Sequence, residues 1–296
     1  MTETSSQTPT EAAEPFRNLQ AVLELDRTGD DTFVGSSLPQ LNGRVYGGQV
    51  LAQSLLAAGA TTPEDRPPHS LHGYFLRPGA LDEPITFDVE RMRDGRSFSV
   101  RQVHAVQNGK PILTMTASFQ EVQPGIDEAQ TMPDAPSPES VESAVDKLGS
   151  LDHPVAKFWT SQAAFDIRHV NGSLYLSPDR EGDDRQMVWL RARGPVAGGQ
   201  LMHRAMTVYA CDQLMLEPVL RRANLGWATR GLSIASLDHA MWWHRDVQAD
   251  EWLLYVQSSP SASGGRGLGA ARIFAQDGTL VASIAQEGMI RVPDVS

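Results

Sequence analysis

The sequence of 296 residues holds a single cysteine, Cys211. One thiol makes neither a disulfide framework nor a cysteine-rich zinc site. Basic residues are in the minority: 25 Lys and Arg stand against 36 Asp and Glu, a formal net charge of -11. That balance argues against nucleic acid or an anionic membrane as the main partner. It leaves room for an anionic small ligand, because a local arginine cluster can oppose the global sign. No apolar run approaches the roughly 20 residues that cross a bilayer, so no membrane span is expected. The N-terminus lacks a basic segment followed by an apolar one, so no secretory signal is read and the cytoplasm is the expected compartment. The length suits one large domain or two ordinary ones, and 41% hydrophobic residues permit a proper core.

What the chain does contain is one plan used twice. Leu232–Arg245, LSIASLDHAMWWHR, begins as a strand with Leu232, Ile234 and Ser236 in phase, then turns aromatic around His239 and His244. Ser70–Arg77, SLHGYFLR, has the same form: Ser-Leu, a histidine, an aromatic run and a closing basic residue. Gly47-Gly48-Gln49 opens a helix predicted over Gly47–Ala60, and Gly198-Gly199-Gln200 opens its counterpart. Asn108-Gly109, a two-residue hairpin signal, is matched by Asp277-Gly278. The offset is about 150–170 residues, which means a duplicated domain and not a solenoid.

The division that follows is a disordered tail over residues 1–15, a first domain over 16–122, a Pro-rich linker over 123–160 and a second domain over 161–296. The first domain reads as a short helix at Phe16–Asp26, a strand at Thr32–Val34, the long helix, and strands at His69–Leu76, Pro84–Arg91, Arg96–Val106 and Ile112–Gln120. The second reads as strands at Ala164–Val170 and Gln186–Ala192, the second helix, then Glu251–Gln257, Ala270–Ala275 and Leu280–Val292 after the aromatic stretch. The linker holds one short helix near Ser140–Leu148. The long helix is apolar on more than one side, so a curved sheet should wrap it. The fold class is α+β, and the two halves form a pseudo-dimer. Sites are expected where the helix of one half meets the sheet of the other.

Three polar residues stand where apolar ones would be expected. With Leu201 as reference on the second helix, Ala205 and Val208 fall within about 40° of it, and Asp212 about 20° from it. Either a carboxylate sits in the apolar stripe, which requires hydrogen bonds to meet it, or the helix has ended by Ala210 and Asp212 is solvated. Ser236 continues the face of Leu232 and Ile234; Gln286 continues that of Leu280, Ala282 and Ile284, although Val281 and Ala285 make the opposite face fairly apolar too. Ser236 or Gln286 taken alone reads first as a satisfied core polar group. Together they could perform hydrolysis: Asp212 takes a proton from water as general base, and Ser236 and Gln286 fix the water's direction. Gly48, at a helix start free of side chains, is the candidate donor to a developing oxyanion. The first half offers no such acid, since Thr61 stands at the position matching Asp212.

Other chemistries fit less well. Ser236 as covalent nucleophile would need a base, and His239, three residues on, lies in the opposite strand phase. No Gly-x-Ser-x-Gly elbow is present. Asp238, His239 and His244 as metal ligands have a spacing that suits neither a helix nor a strand face. The six tryptophans read as core.

The blocks GGQVLAQSLLAAG, HSLHGYFLRPG, RDGRSFSVRQVHAVQNGKPILTMTASFQ, SLDHAMWWHR, EWLLY and QDGTLVASIAQEGMIR together resemble the type II acyl-CoA thioesterases, which include bacterial thioesterase II and the peroxisomal acyl-CoA thioesterases. The resemblance runs from about Phe16 to Val292 and is weakest in the linker. It implies a double hotdog fold and an Asp, Ser/Thr, Gln set that activates water, falling here on Asp212, Ser236 and Gln286. It implies hydrolysis of fatty acyl-CoA to free fatty acid and CoA, with no cofactor or metal, by a homo-oligomer (dimer or tetramer). His69 matches a histidine once suspected of catalysis in that family; a structural role is expected for it here. Chain length is left to tunnel shape, with Met202, Met206 and Met215 as candidate wall residues. The C-terminal Asp-Val-Ser is not a peroxisomal Ser-Lys-Leu signal. The alternatives are an acyl-CoA-binding sensor without turnover and a hotdog enoyl-CoA hydratase, whose Asp and His pair on one loop-helix element is not found.

Overall fold

The structure, a computed structural model, describes residues 13–178 and 185–292. In chain order it contains α1 (Glu14–Leu23), β1 (Asp26–Arg27), β2 (Thr32–Gly35), α2 (Gly47–Gly59), β3 (Pro68–Phe75), β4 (Ile85–Asp94), β5 (Phe98–Gln107) and β6 (Lys110–Gln120). Then follow α3 (Ala144–Gly149), α4 (Pro154–Ser161), β7 (Phe165–His169), β8 (Gln186–Ala192), α5 (Gly199–Cys211) and α6 (Glu217–Arg222). The chain closes with β9 (Ser233–Ser236), β10 (Asp238–Trp243), β11 (Leu253–Ser263), β12 (Arg266–Ala275) and β13 (Leu280–Arg291). Of the expected tail, residues 1–12 lie outside the described residues, while Glu14 and Pro15 belong to the first turn of α1.

Small side chains decide the centre of the molecule. In α2, GGQVLAQSLLAAG, every residue from Gly48 to Leu55 is buried, as are Ala57 and Ala58. A helix apolar on all sides must lie inside the protein. It lies antiparallel to α5. A Cβ on Gly48 would come within 2.5 Å of the Tyr209 carbonyl oxygen, and one on Gly59 within 2.5 Å of Leu201. The N-terminus of α2 therefore abuts the C-terminus of α5.

The strands wrap this pair as one antiparallel sheet in the order β1-β2-β4-β5-β6-β3-β10-β13-β12-β11-β8-β7. The order is two copies of one meander joined where β3 meets β10, with Ala240 opposite His72. One core runs through both halves, from Phe16 and Leu55 to Met241 and Ile284. Asn108 and Gly109 both take positive φ, as their hairpin turn requires.

The linker is more than a tether. Beyond β6 the chain crosses the outer face of the second half, where Met132 and Ala135 cover an apolar patch of Trp189, Trp252, Leu254 and Phe274. The Trp189 indole N–H donates to the Pro136 carbonyl at 2.9 Å, and Arg168 donates to the Pro138 carbonyl at 2.9 Å. The expected short helix is α3, its N-terminus capped by the Ser143 hydroxyl. Helices α4 and α6 have no counterpart in the sequence reading: each is six to eight residues opening on a proline-containing turn, too short to show a period.

Candidate active site

Helix α5 runs through Cys211, so Asp212 is its C-terminal cap and the first of the two readings of the helix holds as far as Cys211. Its carboxylate is half-buried and met by three donors. Ser236 Oγ–H donates to Oδ1 at 2.8 Å, Gln286 Nε2–H donates to Oδ1 at 2.8 Å, and the Gly48 backbone N–H donates to Oδ2 at 2.9 Å. Gln286 also donates to Ser236 Oγ at 2.9 Å. All four residues named from the sequence thus converge on one point. A negative side chain at a helix C-terminus is electrostatically misplaced on its own helix. Here the positive N-terminus of α2 lies against it and compensates.

Gly48 requires a correction. Expected as a donor to an oxyanion, its N–H is donated to Asp212. The nearest anion to the start of α2 is that carboxylate, because the two helices pack end against end. The expected location, one half's helix against the other half's sheet, describes the meeting of α2 with Ser236 and Gln286 but not the origin of the acid. Acid, hydroxyl and amide all belong to the second half, and the first half contributes the end of α2.

A bulge sets the strand residues. Pairing of β10 with β13 has Ala240 opposite Ala285, whereas β9 pairs with Ser236 opposite Gly288, a slip of one residue around Leu237 and Asp238. The slip puts Ser236 and His239 on the same inner face, although they are three apart. The sequence phase had placed them on opposite faces, since an unbroken strand alternates. His239 does not serve Ser236, however. Its Nδ1 lies 2.6 Å from Gln286 Oε1, and an amide oxygen only accepts, so the ring donates from Nδ1. That contact orients the amide with its NH2 toward Asp212 and Ser236. His239 is fully buried and its Nε2 has no protein partner. Burial lowers its pKa against the opposing pull of Gln286 and Asp212, so the ring stays neutral. His239 is the neighbour of this cluster that sequence phase missed, because the slip shows only in the pairing of β9 and β10 with β13.

The other candidates separate. Asp238 Oδ1 accepts from the Glu287 N–H at 2.7 Å, and His244 pairs with Ser283 at 2.9 Å, so Asp238, His239 and His244 each hold a different partner. Among the described residues no group of three or more His, Cys, Asp or Glu could hold a metal ion. His69 bonds Ser118 at 2.8 Å and packs its ring edge-on to Phe98. Met206 and Met215 are core residues, and Met202 packs on the core.

Tyr209 and Gln213, which flank Asp212 in the chain, line a cleft open to solvent. Tyr46, Tyr209 and Phe165 form a continuous aromatic wall: Tyr46 meets Tyr209 edge-on at 5.0 Å, and Phe165 stacks on Tyr209 at 6.0 Å. Helices α3 and α4 supply the opposite side. None of the three methionines lines it.

A sheet wrapped around one long helix, a unit that occurs twice in the chain, defines a double hotdog protein. A hot dog-fold protein from Alicyclobacillus acidocaldarius shares that architecture at 20% identity, with a TM-score of 0.77 over 94% of this chain and 99% of that one. Residues 36–120 match the acyl-CoA thioesterase N-terminal domain and residues 127–290 the acyl-CoA thioesterase C-terminal domain. The human protein named acyl-coenzyme A thioesterase 8 is 40% identical over 93% of this chain and 89% of its own. Acyl-CoA thioesterase 2 of Haemophilus influenzae is 35% identical over 93% and 98%. The crystal structure of acyl-CoA thioesterase II TesB2 from Mycobacterium marinum superposes with a TM-score of 0.78 at 39% identity, over 94% of this chain and all of that one. The chain belongs to the type II acyl-CoA thioesterase family.

Proposed function

We propose that the protein hydrolyses fatty acyl-CoA to free fatty acid and CoA, with Asp212, Ser236 and Gln286 as the catalytic set. The observation that carries the reading is the convergence of a hydroxyl, an amide and a helix N-terminus on one half-buried carboxylate. Relatives named acyl-CoA thioesterases give the substrate class.

In the proposed step Asp212 removes a proton from a water as the water oxygen bonds to the thioester carbonyl carbon. Ser236 and Gln286 are the water's other hydrogen-bond contacts and aim its lone pair. The carbonyl oxygen takes up the negative charge, then reforms its double bond as the carbon–sulfur bond breaks. The departing thiolate recovers the proton, giving CoA and a fatty acid. Positioned general-base catalysis contributes about 10²–10⁴-fold, and a thioester is reactive enough for that to suffice without a covalent intermediate. His239 is a positioning residue in this scheme, because it fixes the amide that fixes the water.

The test is CoA release from palmitoyl-CoA and from a shorter acyl-CoA, followed with a thiol reagent, for wild type and Asp212→Asn. Turnover in the first and its loss in the second supports the reading. Acyl-CoA binding without turnover in either would replace it with a sensor.

A further inference from the structure

The cleft beside Asp212 is unusual in what it lacks. Charged residues make up 21% of the sequence, yet none of the seventeen residues lining the cleft is charged. CoA carries phosphates, and no side chain lining the cleft offers them a cation. An uncharged, apolar group could be held there.

Helix α4, PVAKFWTS, points the same way. Of its four apolar side chains only Ala156 is buried; Val155 is 44% exposed, Trp159 is 42% exposed, and Phe158 is half-buried. Phe158 and Trp159 both line the cleft. A short helix that turns its aromatic residues to an open cleft, and not to the core, leaves apolar surface available for a ligand.

The cleft also lies next to the chemistry along the chain. Tyr209 lies three residues before Asp212 on α5, about 4.5 Å along the helix axis, and Gln213 directly follows it; both line the cleft.

We propose that this cleft is the subsite for the acyl chain, and that the linker helices α3 and α4 form the wall that selects long-chain over short-chain acyl groups. The proposal rests on the hydrolase reading above and adds to it a place and a determinant. The linker then acts as part of the site: Val145 on α3 and Phe158 on α4 face the tail of the substrate, while the second domain holds the thioester.

The test compares kcat/KM for butyryl-CoA and palmitoyl-CoA in wild type and Val145→Trp, which fills the cleft from a half-buried linker position. Palmitoyl-CoA should lose at least about tenfold while butyryl-CoA stays within about twofold, since lost apolar contact acts only on the chain that reaches it. Phe158→Ala, which removes volume, should shift the ratio toward longer chains and serves if Val145→Trp does not fold. A parallel change for both substrates, or none, overturns the proposal. Calorimetric binding of the same two acyl-CoAs to Asp212→Asn, with and without Val145→Trp, keeps the test separate from turnover. Chain-length-dependent binding abolished by Val145→Trp supports the subsite even if the wild type hydrolyses nothing, in which case the hydrolase reading fails alone. Binding whose chain-length dependence survives Val145→Trp overturns the subsite.

Discussion

In the first half of the molecule, the chain leaving α2 reaches Thr61, whose carbonyl and hydroxyl each accept a hydrogen bond at 2.9 Å from the fully buried guanidinium of Arg101. In the second half, the chain leaving α5 reaches Asp212, whose carboxylate accepts from Gln286. Arg101 stands on β5 directly across from Ala117 on β6; Gly269 stands on β12 directly across from Gln286 on β13. Gln286 and Ala117 each lie eight residues beyond the glycine of their hairpin turn, Gly278 and Gly109. The same rung thus holds one small residue and one polar residue in both halves, in opposite order. A permanent cation ends the first helix where its dipole favours one. A carboxylate ends the second, tolerated because neighbouring donors surround it. Gly269 makes room for the second arrangement, since a Cβ there would fall 1.9 Å from the Met215 carbonyl oxygen. With this exchange one helix end is a structural knot and the other is the proposed site.

The sharpest way to break the asymmetry is to neutralise the second helix end. Asp212→Asn keeps the shape and removes the proton acceptor, and should lower kcat by about 10²–10⁴-fold with little change in Tm. Gln286→Ala should lower kcat too without melting the protein. If Gln286→Ala instead loses stability while activity per folded molecule is unchanged, Gln286 is a core polar group and no more.

The converse change falls on the first half. Arg101→Met strips the Thr61 carbonyl and hydroxyl of their donor but leaves Asp94, 48% exposed, free to be hydrated. The cost should be about 2–3 kcal/mol of stability, read from urea unfolding, with kcat per folded molecule intact. A fall in kcat matching that of Asp212→Asn would mean that the two helix ends do not have separate roles.

Much of this contrast was legible before any coordinates. The repeated Gly-Gly-Gln and hairpin signals gave the duplication, and counting from them put Thr61 opposite Asp212. The resemblance supplied the name of the fold. Periodicity put Gln286 on an apolar face, with the opposite face fairly apolar too, and left Asp212 either in the stripe of a helix or past its end. It could not see Arg101, because an arginine alternating within a strand reads as solvent-facing unless the partner that buries it is known. It put His239 on the wrong face, because alternation holds only while register is unbroken, and the one-residue slip at Leu237–Asp238 is a pairing property of two distant strands. Helices α4 and α6 were too short for a period, and the role of the linker depends on what it lies against.

A smaller effect should come from the bulge. His239→Leu removes the N–H that faces Gln286 Oε1 and frees the amide to rotate; kcat should fall about fivefold with KM nearly unchanged, since one neutral hydrogen bond is worth about 1 kcal/mol. His239→Asn can donate from a similar position and should recover most of the loss. Equal kcat in the two variants would show that the ring only fills space.

The smallest effect concerns how each helix end responds to acid. Below Asp212 the Leu214 carbonyl accepts from Gln257, Gln257 accepts from Gln186, and Gln186 donates to Glu217, a fully buried carboxylate that also pairs with His169 and Trp227. Burial alone would raise the Glu217 pKa, but His169, Trp227 and Gln186 together hold it below its ordinary 4.5. A carboxyl lowered on folding adds stability above its unfolded pKa and loses it as pH falls through the folded one. In the first half the Asp94 carboxyl is lowered too, its slight burial outweighed by Arg101 and Ser99, but it is half exposed, so water screens most of that dependence. The gap in Tm between wild type and Glu217→Gln should therefore be widest near neutral pH and shrink below about pH 4.5. Over the same interval amide exchange should quicken in α6 before it does in β5 and β6. A gap that stays constant with pH, or exchange that rises in both halves together, would mean that the carboxylate is not what anchors the segment behind Asp212.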